Sequence, residues 1–328
     1  MRKILIFVFT INFLISWFFN FHLFAGIFAD DEWGGISFGW INAIKKEIKE
    51  LDKQIFLEFV TKWGTRGTGD GQFDRPTGVA VDSSGNVYVV DTGNFRIQKF
   101  NSNGIFILKW GSQGSGDGQF TGPQGITVDK SDNIYITDNN QVKKFSSNGT
   151  FITKWGSYGW ADGQFTNPIG IALDSSGSVY VADTGNHRIQ KFSSNGTFIL
   201  KWGNQGTSDG SFNLAFGGIA IDAFDNIYVT DTWNDRIQKF TSNGIFILKW
   251  ERGHPRYIAV DLTGNVLTTG GNNKIEKYTS NGKFIAEFGT AGGENGQFLC
   301  ISGIAIDSYG NVYIADTDNH RIQKFRPR

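Results

Sequence analysis

From residue 73 to the C-terminus, short apolar runs alternate with polar, glycine-bearing breaks, and within the runs inward and outward positions follow the two-residue period of a strand. The first unit shows the pattern. A run ending in Gly78-Val79-Ala80-Val81 meets Asp82 and the break Ser83-Ser84-Gly85-Asn86. The strand Val87-Tyr88-Val89-Val90 follows, then the break Asp91-Thr92-Gly93-Asn94 and the strand Arg96-Ile97-Gln98-Lys99-Phe100. Asn103-Gly104 leads into Ile105-Phe106-Ile107-Leu108-Lys109-Trp110, and a glycine-rich stretch leads to the next unit. Each unit therefore predicts four short strands, rich in the β-branched and aromatic residues that suit a pleated surface.

The unit recurs. Asp82, Asp129, Asp174, Asp222, Asp261 and Asp307 close matching first strands at separations of 47, 45, 48, 39 and 46 residues. Four antiparallel strands at a period in the forties describe the blade of a β-propeller. A propeller must close, because an open one leaves two unpaired edges. The chain ends just after a third strand, Arg321-Ile322-Gln323-Lys324-Phe325, whereas Phe59-Val60-Thr61-Lys62-Trp63-Gly64 repeats the fourth strand Phe151-Ile152-Thr153-Lys154-Trp155-Gly156. The expected fold is an all-β, six-bladed propeller over residues 56–328, with an N-terminal strand completing the last blade. Asn-Gly at 103–104, 148–149, 195–196, 243–244 and 281–282 predicts type I′ hairpin turns, in which both central residues take positive φ.

Two segments precede this array. Arg2 and Lys3 stand before an apolar run from Ile4 to Ala29, the arrangement of an export signal or membrane anchor. Since the basic end stays inside, residues 1–29 are expected to carry the rest of the chain out of the cytoplasm. Over residues 30–55, Ile41, Ile44, Ile48, Leu51 and Ile55 recur at steps of three and four among Lys and Glu, which predicts an amphipathic helical linker. Lys plus Arg and Asp plus Glu number 31 each, so no bulk charge favours nucleic acid. The lone Cys300 rules out an intrachain disulfide and a cysteine-rich zinc site.

Asp183-Thr184-Gly185-Asn186-His187-Arg188-Ile189-Gln190-Lys191-Phe192 resembles the signature of the NHL repeat, as does Asp316-Thr317-Asp318-Asn319-His320-Arg321-Ile322-Gln323-Lys324-Phe325. Blade 5 departs from it, with Gly270 in place of the Asp and Lys274 in place of the Arg, and blade 2 has a shortened turn, Asp138-Asn139-Asn140-Gln141, without the Arg. The resemblance implies a propeller used mainly to bind other macromolecules, and no single activity.

The recurring Asp residues of the second turns, Asp91, Asp138, Asp183, Asp231 and Asp316, could form a ring of metal ligands. A structural role is the better expectation: each accepts hydrogen bonds in its own turn or pairs with the Arg five residues on, because active-site groups occur once per protein and not once per blade. The Gly-Gln-Phe stretches before Phe73, Phe120 and Phe165 lack the Gly-Lys-Ser/Thr and helix of a phosphate loop, and with Phe212 and Phe298 these residues predict blade-to-blade packing. His187 and His320 share a repeat position with Phe95 and Asp235, which suggests a surface position. Together with His254 they are too scattered to match the histidine-held central metal of propeller lyases similar in fold; a calcium-dependent lyase or hydrolase is the alternative to a binding module. The expected partner is a protein or glycan. It is placed where the repeat is least regular, on the face bearing the second turns: Trp233 replaces the second-turn glycine seen at Gly93 and Gly185, Phe216 the proline seen at Pro76, Pro123 and Pro168, and Arg252, His254 and Arg256 lie in a shortened connection into blade 5.

Overall fold

The computed structural model describes residues 56–213 and 217–328; the leader, the whole of the predicted helical linker and Phe216 lie outside the described residues. Six four-stranded antiparallel sheets follow in sequence, and the order within each runs first, second, third, fourth. Blade 1 comprises Pro76–Val81, Val87–Asp91, Arg96–Phe100 and Phe106–Trp110. Blade 5 comprises Pro255–Val260, Val266–Gly270, Ile275–Tyr278 and Phe284–Phe288. The first strands contact one another in cyclic order, from blade 1 round to blade 6 and back, so they form the inner ring. Leu57–Trp63 lies antiparallel to Arg321–Pro327 and is the fourth strand of blade 6, as the sequence predicts. Arg326 clasps Glu58 with two bonds of 2.9 Å across this closing pair. Among the described residues no helix is long and apolar enough to cross a membrane.

The core lies in the seams between blades, because alternate side chains of each strand face opposite neighbours. Val79 packs with Tyr313 and Ile322 of blade 6, whereas the adjacent Ala80 packs with Ile126 of blade 2. Each seam ends in an aromatic stack. Phe73 and Trp63 both lie against Phe100, with ring centroids 5.6 and 5.8 Å away. Phe120, Phe165, Phe212 and Phe298 repeat the role of Phe73 and are fully buried, so the predicted seam packing is present. The inner ring is drawn tight by glycine: a Cβ on Gly78 would sit 2.4 Å from the carbonyl oxygen of Gln124 in the next blade. Hydroxyls stitch the same ring, as Thr92 Oγ1 donates to Pro123 O at 2.9 Å and Thr317 Oγ1 to Pro76 O at 2.8 Å.

The Asn-Gly turns differ from the expectation. Gly104 has φ of 81°, but Asn103 is not among the residues with positive φ, and the same holds for Asn148, Asn195, Asn243 and Asn281. Gly104 N–H donates to Asn101 O at 3.0 Å, and Asn101 N–H to Ile105 O at 2.9 Å. This is a type I turn followed by one left-handed residue; farther along the hairpin a separate bulge falls at Ile107, since Phe100 pairs with Phe106 but Lys99 with Leu108. Glycine is required there twice, since a Cβ on Gly104 would also lie 2.6 Å from the Trp63 ring of the neighbouring blade. The first turns are held by the recurring Asp. Burial alone would raise the Asp174 carboxyl, but bonds from Ser176, Ser178, Lys191 and Tyr180 outweigh it and hold its pKa down to about 2.

Candidate functional site at the seam of blades 4 and 5

In the regular blades one buried triad fixes the loop that leads in from the preceding blade. Asp91 Oδ2 accepts from Arg96 Nε at 2.7 Å and from Gln98 Nε2 at 3.1 Å. Arg96 then donates to the loop carbonyls of Thr68, Gly69 and Gln72 at 2.6, 2.8 and 2.8 Å, and Gln98 to Gln72 O at 2.6 Å. Blades 3, 4 and 6 repeat this with Arg188, Arg236 and Arg321. The Asp ring thus accepts both the turn and the arginine bonds expected of it.

Blade 2 reaches the same end by another route. Lys143, which occupies the Gln98 position and is 1% exposed, puts its ammonium 2.8 Å from Asp138 Oδ2. It also donates to Gln119 O at 2.5 Å, so one lysine replaces the arginine and the glutamine together. Asp138 is therefore an ion-pair partner as well as a turn residue, a role its sequence context did not suggest.

Blade 5 has no long leading loop to hold, and its triad is absent. A different set of residues fills the space. The Arg252 side chain comes in from the connection and lies over Gly270, where a Cβ would approach its Nη2 to 2.5 Å. Arg252 Nε is 2.9 Å from Glu276 Oε2, within ion-pair distance but not aligned for a hydrogen bond, and the residue is 6% exposed. Glu276 stands where the other blades have Gln or Lys, and accepts from the Tyr278 hydroxyl at 2.5 Å. Tyr278 replaces the buried Phe of the other blades; burial and then the Glu276 carboxylate push its hydroxyl pKa up. With no seam phenylalanine over it, this polar floor opens into a cleft of about 580 Å³ lined by Asn234, Asp235, Glu251, Arg252, Gly253, Glu276 and Tyr278.

The rim is organised by Asp235. It accepts from His254 N–H at 2.7 Å and pairs with the His254 ring through Nδ1, and these contacts hold its carboxyl below the usual range. The His254 ring packs edge-on against Trp233 at 5.7 Å and 74°, and Trp233 remains 57% exposed. An exposed indole backed by a fixed imidazole, beside a cleft with three carboxylates and one guanidinium, suits a partner with an apolar group and several hydrogen-bond donors.

The family model for the NHL repeat matches residues 73–100, 165–192 and 298–325. The chain is an NHL-repeat β-propeller. Short stretches of this NHL-repeat propeller are similar to the B-box type zinc finger protein ncl-1 of Caenorhabditis elegans, 49% identical over 45 residues or 14% of the chain. The brain tumor protein of Drosophila melanogaster is 40% identical over 58 residues, 18% of the chain. These stretches span only 5% and 6% of those two relatives. A streptogramin B lyase structure superposes with a TM-score of 0.60 at 16% identity, over 84% of this chain and 99% of the other. A gluconolactonase of Xanthomonas campestris does so with 0.59 at 14%, over 79% and 88%. At such identities the likeness is one of fold.

Of the residues singled out in the sequence of the NHL-repeat propeller, Trp233 and His254 meet at the rim and Arg252 forms part of the cleft floor. Arg256 lies half-buried on the inner strand with Nη1 3.8 Å from Cys300 Sγ, toward blade 6, and does not line the cleft. Sequence reasoning missed Asp235, Glu251, Glu276 and Tyr278. Glu276 and Tyr278 carried a signal, since they break repeat positions held by Gln or Lys and by Phe. The position of Phe95, His187, Asp235 and His320, expected at the surface, is exposed only at Asp235 and half-buried in the other three, and all four have φ near 52°. Its tolerance for polar residues has a further cause: it can bond across the seam. His320 Nδ1 accepts from Arg75 N–H at 3.1 Å, as Asp235 does from His254. Among the described residues no group of three or more His, Cys, Asp and Glu side chains is placed to hold a metal ion.

Proposed function

We propose that this propeller is a binding module that takes a protein or glycan partner at the cleft between blades 4 and 5. The carrying observation is that this seam trades its aromatic plug for an open polar cleft with a fixed, exposed tryptophan on its rim. Large aromatic side chains dominate hot spots, and truncating one costs ~2 kcal/mol or more, a factor of about 30 in affinity. Partners are recovered by capture on the immobilised protein and by a glycan array. Trp233→Ala is then expected to weaken binding at least about tenfold while leaving the melting temperature unchanged, since the side chain is exposed. Trp160→Ala, an exposed indole on the loop into blade 3, serves as the control. Equal losses from the two variants would refute the location.

The same reading places the propeller outside the cytoplasm. Its support is the order of Arg2, Lys3 and the apolar run that follows. A reporter active only in the cytoplasm, fused after Arg328, should be silent; full activity would overturn export.

A further inference from the structure

The end of the disc opposite the cleft divides into two unlike halves. The tips of the first turns read Ser83-Ser84, Lys130-Ser131 and Ser175-Ser176 in blades 1, 2 and 3. In blades 4, 5 and 6 they read Ala223-Phe224, Leu262-Thr263 and Ser308-Tyr309. Phe224, Leu262 and Tyr309 are 86%, 67% and 82% exposed. Nothing in the turn requires them: Asp222, Asp261 and Asp307 hold their turns through backbone N–H groups, as Asp82 and Asp174 do with serine at the tip. The third turns do not share this division, since Ile245 of blade 4 is 65% exposed and Ile105 of blade 1 is 63% exposed, so the asymmetry lies in the first-turn tips; Lys283 is exposed at the third turn of blade 5.

The chain enters the propeller at this same end and beside this same half. Leu57 pairs with Pro327, and Pro327 lies against Gly310 of the Tyr309 turn, with Cγ 3.4 Å from where a Cβ would stand. Phe56 packs on Phe288 of blade 5 at 6.4 Å, and Lys277 of blade 5 lies over its ring. Phe56, the first described residue, therefore stands at the rim of the apolar sector.

We propose that the sector formed by Phe224, Leu262 and Tyr309 rests on a lipid bilayer. Protruding aromatic and aliphatic tips with a nearby lysine are the side chains that settle at the boundary of headgroups and acyl chains. This rests on the reading of the apolar run over residues 4–29 as a membrane anchor: a chain so tethered would need little additional affinity, because tethering makes the second contact intramolecular. The result would be an orientation: blades 4, 5 and 6 turned to the bilayer on one end of the disc, and the cleft at the opposite end facing away from it. The proposal is independent of what the cleft binds.

The test uses the full-length protein carrying Cys300→Ser, reconstituted in vesicles of phosphatidylcholine with one-third phosphatidylglycerol. Single cysteines at Ser308 and Thr263, or at Ser84 and Ser131, are labelled with an environment-sensitive nitrobenzoxadiazole dye. Labels at Ser308 and Thr263 should brighten about threefold over detergent-free aqueous protein lacking the leader residues 1–29, and should be quenched by nitroxides carried shallowly in the lipid. Labels at Ser84 and Ser131 should read water in both. The combined change Phe224→Ser, Leu262→Ser and Tyr309→Ser should return the first pair to the aqueous value while the melting temperature stays within about 2 °C, as exposed positions allow. Four labels that read alike in vesicles would overturn the proposal. So would bright labels at Ser308 and Thr263 without lipid, because a second copy or another protein would then be covering the sector.

Discussion

Deleting residues 1–64 is expected to lower the melting temperature far more than deleting residues 1–53. The two variants differ by the strand that closes the ring. That strand buries Leu57, sets Trp63 against Phe100 and Tyr313, and pairs along Arg321–Pro327 with Glu58 clasped by Arg326. Burial of Leu57, Phe59 and Trp63 contributes ~1.5–3 kcal/mol each, so their loss costs ~5 kcal/mol or more. The whole stability of a domain is ~5–15 kcal/mol. The deletion also exposes the edge of Arg321–Pro327, an invitation to aggregate. Thermal unfolding followed by circular dichroism, with light scattering for aggregation, decides the matter; equal midpoints would contradict closure by this strand.

The second large effect is expected at a residue no sequence motif marks. Lys143→Met strands the Asp138 carboxylate in a seam where it is 2% exposed, and leaves the carbonyls of Gly116 and Gln119 without their donor. Breaking a buried pair by removing one partner costs ~3–5 kcal/mol, because the remaining charge stays buried and uncompensated. At ~2–4 °C per kcal/mol for a domain of this size, the midpoint should fall by roughly 10 °C. Lys143→Gln alone should fall similarly. Adding Gln141→Arg to Lys143→Gln rebuilds the arrangement of Arg96 and Gln98, since Gln141 faces Asp138 in the register in which Arg96 faces Asp91. That double variant should recover most of the loss. A neutral Lys143→Met, or a double variant no better than Lys143→Gln, would show that the blades do not interchange their cations in this way.

Most of the fold is legible in the residues because it is made of local rules repeated six times. Strand alternation, the Asp-led first turns and the spacing of Asp82 to Asp307 are each set within a few residues. The match of Phe59–Gly64 to Phe151–Gly156 carries the one long-range fact, ring closure, since a repeat reveals a missing partner wherever it lies in the chain. The Asn-Gly turns are less legible: the dipeptide is compatible with two turn types, and the choice follows from the three-residue loop closed between Asn101 and Ile105 and from Trp63 lying on Gly104.

The candidate site divides along the same line. Its place was visible as irregularity, because Trp233, His254 and Arg252 break a pattern that the other blades keep. Its composition was not. Arg252 meets Glu276 from 24 positions away, over a glycine that replaces the Asp of the other blades, and no spacing rule joins a loop to the next strand but two. Arg256, only four residues on, already lies in the inner strand Pro255–Val260 and turns to the next seam. Lys143 belongs to the same class: its charge reads as a surface residue until the seam closes over it. The sequence by itself determined the strands, their number and their closure, since those depend on backbone propensities and on repetition. Only the tertiary structure decided which charges are buried together and where the disc is left open, because those follow from the packing of one blade against the next.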